Sequence, residues 1–127
     1  MKKYYIYATA MLTLAVILGA FGAHAWKDLL GERVDTFQLA NDYHIWTSLA
    51  VLILAGLFNR FPGTSSYPLA FFVTGACCFY GSLYLLSFPE IFPGVWRSVL
   101  GPITPIGGLL MIIGLSWSTF ICIKRIE

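Results

Sequence analysis

The sequence predicts an all-α integral membrane protein, an antiparallel four-helix bundle with four transmembrane helices. Hydrophobic residues make up 58% of the chain and charged residues only 11%, whereas a soluble domain carries about a quarter charged residues. A chain of 127 residues predicts a single domain, residues 1–127, and its apolar residues fall into four segments that fit the length of a membrane span. We therefore expect the lipid bilayer to be the main partner of this protein.

The first predicted span covers residues 4–23. The Ala23-His24-Ala25 sequence at its end has the small-x-small pattern of a signal-peptide cleavage site, which is an alternative interpretation. The apolar run of 20 residues exceeds a usual signal core and crosses a bilayer at about 1.5 Å per residue, so we expect a retained helix. A face of mostly small residues favours close packing with a neighbouring helix; it consists of Ala8, Leu12, Ala15, Gly19 and Gly22.

The second predicted span, residues 39–58, is the least apolar. Its uninterrupted apolar run, residues 45–58, is too short to cross the hydrocarbon core, so the span has to begin near residue 39. His44 then lies about 7 Å inside the outer boundary. Upstream, residues 24–35 predict a short interfacial helix, and Asp35-Thr36-Phe37-Gln38 predicts a capping box for the next helix.

The third and fourth spans are predicted over residues 67–86 and 105–123, separated by a loop, residues 87–104. Thr104 is predicted to cap the fourth helix, with Pro105 at its first position. Pro68 suits the first turn of the third helix. Faces of small residues predict close packing with a neighbouring helix. The third helix has two such rows, one formed by Gly75, Cys78 and Ser82 and the other by Thr74, Cys77, Gly81 and Tyr84. The fourth helix has one, formed by Gly107, Met111, Gly114 and Ser118.

Basic residues are distributed unequally between the two sides of such a bundle. The side that holds both termini carries five of them, Lys2, Lys3, Arg60, Lys124 and Arg125, and the other side carries three, Lys27, Arg33 and Arg97. Cytoplasmic segments are enriched in Lys and Arg. We therefore expect cytoplasmic N- and C-termini and a location in the cytoplasmic (inner) membrane.

The candidate binding residues lie at the outer ends of the predicted spans. They are His24 after the first span, Tyr43 and His44 entering the second, Tyr84 leaving the third and Thr104 before the fourth. An antiparallel bundle brings these ends together. The two histidines could bind a metal or haem or relay a proton, or they could hydrogen-bond to helix ends, Tyr84 or loop carbonyls. Two histidines are too few for a zinc site, so we expect no metal.

Other chemistries find little support in the sequence. No Asp, Glu, Lys or Arg lies deep in a span, which argues against a coupled ion pump. Ser48 follows His44 by one turn, but no oxyanion-hole motif accompanies it. The three cysteines form no C-x-x-C pair, and a net charge of +2 without a basic stripe argues against nucleic acid. We expect no catalytic residues and no cofactor.

Three stretches, taken in order, resemble a known family: LGAFGAHAW (18–26), YHIWTSLAVL (43–52) and GPITPIGG (101–108), with FYGSLYLLS (79–87) between the last two. They are similar to the domain-of-unknown-function 423 (DUF423) family of small four-span membrane proteins, which includes transmembrane protein 256. The resemblance implies a four-helix membrane protein and supplies no established reaction. The family often has a further histidine where this chain has Thr47, which favours a structural role for His44.

Three functional hypotheses follow. The leading one is a non-enzymatic accessory or assembly protein that contacts a membrane-protein partner or forms a homo-oligomer, because small-residue faces are abundant and catalytic groups are absent. The second is small-molecule or ion binding or transport through the outer polar cluster. The third is a redox protein that binds a metal, haem or quinone at the same cluster.

Overall fold

The computed structural model describes residues 1–126, which fold into four long helices and one short helix. Its elements are α1 (Lys2–Ala23), α2 (Lys27–Leu30), a 3-10 turn (Gly31–Arg33), α3 (Val34–Arg60), α4 (Tyr67–Leu86) and α5 (Gly94–Ile126). No strand occurs in this described part of the chain, so the all-α prediction is confirmed. The short helix predicted after the first span is α2.

Three of the long helices have the length and composition of a membrane span: α1, α4 and residues Gly94–Arg125 of α5. The remaining long helix, α3, has 27 residues and therefore sufficient length. Its first half is more polar than the other helices, because it contains Gln38, Asn41, Asp42 and His44. The fold thus has four long helices, of which three are apolar enough to cross a bilayer.

The long helices pack in the order of the chain. α1 packs against α3, α3 against α4, and α4 against α5. Within residues 1–126, α1 and α5 share no interface of comparable extent. Apolar side chains form a buried cluster at the end of the fold opposite α2, between the start of α1, the end of α3 and the start of α4. Its members are Tyr4, Ala8, Val51, Ala55, Phe58, Leu69 and Phe72. The Tyr4 hydroxyl donates a hydrogen bond to the Ser66 carbonyl at 3.2 Å, which links the starts of α1 and α4.

The small-residue face of α1 packs against α3, as the sequence predicts. Ala8, Ala15 and Gly22 are buried. A Cβ atom at Gly22 would collide with the ring of Phe37, and one at Gly19 would lie 2.9 Å from the amide nitrogen of Asn41. The missing side chains therefore let the aromatic ring and the amide of α3 approach the α1 backbone.

Glycines bring the backbones of α4 and α5 into direct contact. A Cβ atom at Gly107 would lie 2.6 Å from the Phe79 nitrogen and 2.7 Å from the Gly75 carbonyl oxygen. A Cβ atom at Gly114 would lie 2.6 Å from the Phe72 nitrogen. The predicted packing of these small-residue faces is confirmed.

The second small-residue row predicted on α4 is not its contact with α3. Thr74 and Cys77 are exposed, and no atom lies within 4 Å of a Cβ built at Gly81. The aromatic face of α4 packs against α3 instead, with Tyr80 over His44. Within this row, Tyr84 is the residue that contacts α3, through hydrogen bonds with Asn41 and His44.

The predicted start of the fourth helix is wrong. α5 begins at Gly94, so both Pro102 and Pro105 lie inside it, and Thr104 is an interior residue rather than an N-cap. Both prolines are exposed, so their rings do not obstruct the α4 contact. Spanning helices tolerate internal prolines where neighbouring groups compensate for the lost hydrogen bonds. The helical part of residues 87–104 was missed because proline was interpreted as a helix start.

The predicted capping box is also wrong. Arg33 precedes α3 as its N-cap and forms no side-chain capping bond, and Asp35 lies in the first helical turn. The 3-10 turn leads directly into α3, so the preceding backbone turn starts the helix in place of a side-chain cap. Gly31, with φ of 51°, supplies the left-handed conformation that separates α2 from this turn.

Candidate functional site

The strongest candidate site is a buried hydrogen-bond chain between α3 and α4. His44 is only 1% exposed, and its Nδ1 lies 3.1 Å from the Tyr84 hydroxyl. The Tyr84 hydroxyl donates to the Asn41 side-chain oxygen at 2.9 Å. Because Tyr84 has a single proton to donate, its oxygen must accept from Nδ1–H of His44. Among the hydrogen-bond partners that the sequence offers for His44, the structure places Tyr84 in contact with it.

This arrangement fixes the chemistry of the other imidazole nitrogen. With Nδ1 protonated, Nε2 of His44 carries a lone pair. In the described part of the chain, Nε2 is the one buried side-chain nitrogen or oxygen without a hydrogen-bond partner. An unsatisfied buried acceptor costs about 1–3 kcal/mol. Stability alone therefore does not explain a histidine at position 44, since an apolar side chain of similar volume would avoid this cost.

A second polar cluster lies on the other side of His44. The imidazole stacks on Tyr80, with ring centroids 4.2 Å apart. The Tyr80 hydroxyl lies 2.9 Å from the Tyr7 hydroxyl and 3.3 Å from Cys77 Sγ, and it donates to Met11 Sδ at 3.7 Å. These bonds connect α1 to α4 across the interior.

Sequence reasoning missed Asn41, Tyr7 and Tyr80. A usable signal was the spacing of Asn41 and His44, which are three residues apart on one helical face. Tyr80 and Tyr84 are four residues apart on α4 and share a face in the same way. No spacing within one helix could predict Tyr7, because its partners lie on another helix.

The hydroxyls near His44 are satisfied within α3. Ser48 Oγ donates to the His44 carbonyl at 2.7 Å, and Thr47 Oγ1 donates to the Tyr43 carbonyl at 2.6 Å. This is the ordinary back-bonding of Ser and Thr in a helix. In this structure Ser48 donates its proton to a backbone carbonyl and not to a side-chain base.

The five predicted site residues do not form one cluster. His44 and Tyr84 are in direct contact. Tyr43 packs against Phe79, with ring centroids 4.6 Å apart, and Thr104 is hydrogen-bonded to Ser82 across α4 and α5. His24, directly after α1, is exposed in a shallow depression with Ala20, Phe21 and Ala25.

A pocket lies at the Asn41 end of the hydrogen-bond chain, between α1 and α3. Its volume is about 260 Å³. Polar side chains from α3 line one wall, and the α1 glycines line the other. The lining residues are Gly19, Gly22, Ala23, Val34, Phe37, Gln38, Asn41 and Asp42. Because the Asn41 oxygen accepts from Tyr84, its amide N–H groups remain available as donors.

Comparison with known proteins identifies the family. A family model described as "Protein of unknown function (DUF423)" matches residues 18–108. The chain belongs to the DUF423 family. It is 35% identical to the UPF0382 membrane protein YwdK of Bacillus subtilis, over 92% of this chain and 91% of that protein. It is 33% identical to the UPF0382 membrane protein C1782.12c of Schizosaccharomyces pombe, over 91% and 98%. No solved structure matches.

The DUF423 assignment establishes a helical membrane protein and leaves its activity open. The printed names of these relatives describe membrane proteins and no reaction. In residues 1–126 of this DUF423 chain, no three His, Cys, Asp or Glu side chains come together in a group that could hold a metal ion. The site chemistry therefore has to be argued from the His44 chain and the adjoining pocket.

Aromatic rings stabilise the end of the fold at which α2 lies. Trp26 stacks on Phe21 at 5.0 Å and contacts Phe88 edge-on at 5.6 Å. Phe37 contacts Tyr84 at 5.1 Å and Phe88 at 6.0 Å. Such ring pairs contribute about 0.5–1.5 kcal/mol each beyond their buried area. They connect the segments that follow α1 and α4 to α3 and hold Tyr84 in place.

Proposed function

We propose that all four long helices span the cytoplasmic membrane. α3 is the least apolar of them, but its polar side chains at His44, Thr47 and Ser48 are buried against its neighbours. Between residues 43 and 58, the residues that α3 leaves exposed are apolar, Trp46, Leu49 and Ile53, whereas Gln38 and Asp42 are exposed nearer its start. A helix between α1 and α4 can carry polar groups that lipid never contacts.

The basic residues support an orientation with both termini in the cytoplasm. Five Lys and Arg residues lie on the side of the chain ends and three on the side of the outer loops. Reporter fusions at residue 127 and in the loop at residue 92 test this orientation. We expect cytoplasmic activity from the first fusion and external activity from the second, and the reverse pattern would contradict the orientation.

We infer that the protein is a non-enzymatic binding protein for a small polar molecule or cation at its outer face. The observation that carries this proposal is the pocket at Asn41, whose amide oxygen is held by Tyr84 and, through Tyr84, by buried His44. Asn41 offers N–H donors, and Asp42 offers a carboxylate. A site whose side chains are fixed by a buried hydrogen-bond chain loses little entropy when a ligand binds.

The inner half of the molecule favours binding over transport. The buried cluster that includes Val51, Phe58 and Phe72 fills the space between α1, α3 and α4 with apolar side chains. A polar solute would have to cross this layer without hydrogen-bond partners, which is costly. The apolar layer therefore separates the pocket from the opposite end of the proposed bundle.

A thermal-shift screen of the purified chain against small polar solutes tests this proposal, with ammonium, amines, amino acids and amides as probes. A ligand at 100 times its Kd stabilises the fold by about 2.7 kcal/mol. We expect Asp42→Asn and Asn41→Leu to abolish the increase in melting temperature that a binding solute causes in the parent chain. Asp35→Asn is the matched control, because Asp35 is exposed on the same helix but outside the pocket. The proposal would be contradicted if no solute raised the melting temperature, or if a solute raised it equally in all variants.

The accessory or assembly role is a second candidate, favoured by the asymmetry of α5. α5 packs against α4, and its remaining surface exposes large apolar residues along most of its length, including Val95, Ile106, Ile112 and Phe120. The small-residue faces that suggested a partner are occupied within the chain, since Gly107 and Gly114 contact α4. Purification in mild detergent tests this role, and a monomer without a copurifying protein would argue against it.

A further inference from the structure

A charged pocket lies at the outer end of the fold, separate from the pocket at Asn41. Its volume is about 360 Å³. The α2 segment and the 3-10 turn form one wall, and the loop between α4 and α5 with the start of α5 forms the other. Five charged side chains line it: Asp28, Glu32, Arg33, Glu90 and Arg97.

The position of this pocket follows from the helices that lead into it. α1 ends at Ala23 and α4 ends at Leu86, and both are long and apolar enough to span a membrane. The segments that follow them therefore lie at one surface of the bilayer, at the level of the lipid headgroups. The contact between Trp26 and Phe88 holds the two segments together, so the pocket is a formed feature of the fold.

The surroundings of the pocket are those of a lipid site. Leu29 lines it and is 41% exposed. Ile91 and Trp96, beside Glu90 and Arg97 in the chain, are exposed apolar residues. Aromatic residues such as Trp gather at the membrane interface. A ligand with a charged head and an apolar tail would satisfy both the charges and this apolar margin.

The charges in the pocket are mixed, with both signs among its lining side chains. Three carboxylates and two guanidinium groups give a net charge of −1. A purely anionic ligand is therefore disfavoured, and a ligand that carries both charges finds a partner for each.

We propose that this pocket binds the phosphoethanolamine headgroup of phosphatidylethanolamine. Arg33 and Arg97 bind the phosphate, because a guanidinium presents paired N–H donors to phosphate oxygens. The carboxylates of Asp28, Glu32 and Glu90 accept from the primary ammonium, which has three N–H donors. The choline headgroup has no N–H to donate, so it is the weaker ligand. This site does not depend on the function proposed for the Asn41 pocket.

Native mass spectrometry of the full chain with an equimolar mixture of phosphatidylethanolamine, phosphatidylcholine and phosphatidylglycerol tests the proposal. We expect preferential retention of phosphatidylethanolamine. Arg97→Gln and Glu90→Gln should each weaken its binding about threefold to fivefold, the effect of one exposed charge contact. Arg60→Gln, at the opposite end of α3, is the matched control and should leave binding unchanged.

Two further measurements make the outcome decisive. Thermal melting of each variant without lipid shows whether it folds. A folded Glu90→Gln chain with unchanged lipid selectivity, or a folded Arg97→Gln chain with unchanged phosphatidylethanolamine binding, would overturn the proposal. Soluble phosphoethanolamine is the second arm. If it binds as tightly as the lipid, the site takes a soluble headgroup compound, and the lipid assignment is overturned. Equal retention of the three lipids has the same consequence.

Discussion

Substitution of Gly107 by alanine is expected to destabilise the protein by about 1–3 kcal/mol, the usual cost of overpacking. The added Cβ atom would lie 2.6 Å from the Phe79 nitrogen and 2.7 Å from the Gly75 carbonyl oxygen. Both are backbone atoms, so the strain cannot be relieved by rotating a side chain. α4 and α5 would have to separate along their length. Thermal or denaturant unfolding in detergent measures the loss, and leucine at the same position should have a larger effect.

Gly101 provides the matched control on the same helix. No atom lies within 4 Å of a Cβ atom built there, and alanine is the better helix former by about 1 kcal/mol. Gly101→Ala should therefore be neutral or slightly stabilising. If Gly101→Ala and Gly107→Ala have equal stability, the close α4–α5 contact is not an energetic feature of the fold.

The Gly107 contact illustrates what the sequence could predict. Small residues at helical spacing show which face of a helix can approach a neighbour, and the faces around Ala15, Gly75 and Gly107 were found in this way. The pattern does not say which helix fills the face. The chain itself fills these faces, and this removes the main reason for expecting an external partner.

Helix boundaries were harder to predict where local rules compete. Pro105 fits a helix start, but it lies inside α5 because its exposed ring does not oppose packing on α4. Asp35 fits a cap, but the 3-10 turn before it already starts α3. The exact bounds of α4 were predictable, because Pro68 and the turn at Gly63 both mark its beginning.

The site was predicted in part for a related reason. The antiparallel order of the helices predicts that His44 and Tyr84 lie near each other, and the two side chains are within hydrogen-bond distance. It does not predict the rotation of each helix about its axis. His24, which follows the last residue of α1, is exposed, although the sequence places it in the same cluster as His44.

Truncation of His44 to alanine is expected to destabilise the protein by about 2–4 kcal/mol. The substitution removes a fully buried ring, its stacking on Tyr80 and its hydrogen bond to Tyr84, and large-to-small changes in a core cost about this much. Tyr84→Phe should cost less, about 0.5–1.5 kcal/mol for the lost hydrogen bonds. Because the two residues share a bond, the double variant should be less destabilised than the sum of the single changes.

His44→Leu separates the structural role of this residue from a functional one. Leucine refills most of the volume and removes the unpartnered Nε2, so the free energy of unfolding should fall by less than about 1.5 kcal/mol. Tyr84 would keep its bond to Asn41 but lose the donor that fixes its own hydroxyl. If the pocket at Asn41 binds a ligand as proposed, the folded His44→Leu protein should bind a solute identified in the thermal-shift screen severalfold more weakly. An unchanged response would make His44 a packing residue alone. In that case the unsatisfied nitrogen of His44, with its cost of about 1–3 kcal/mol, would serve no binding function.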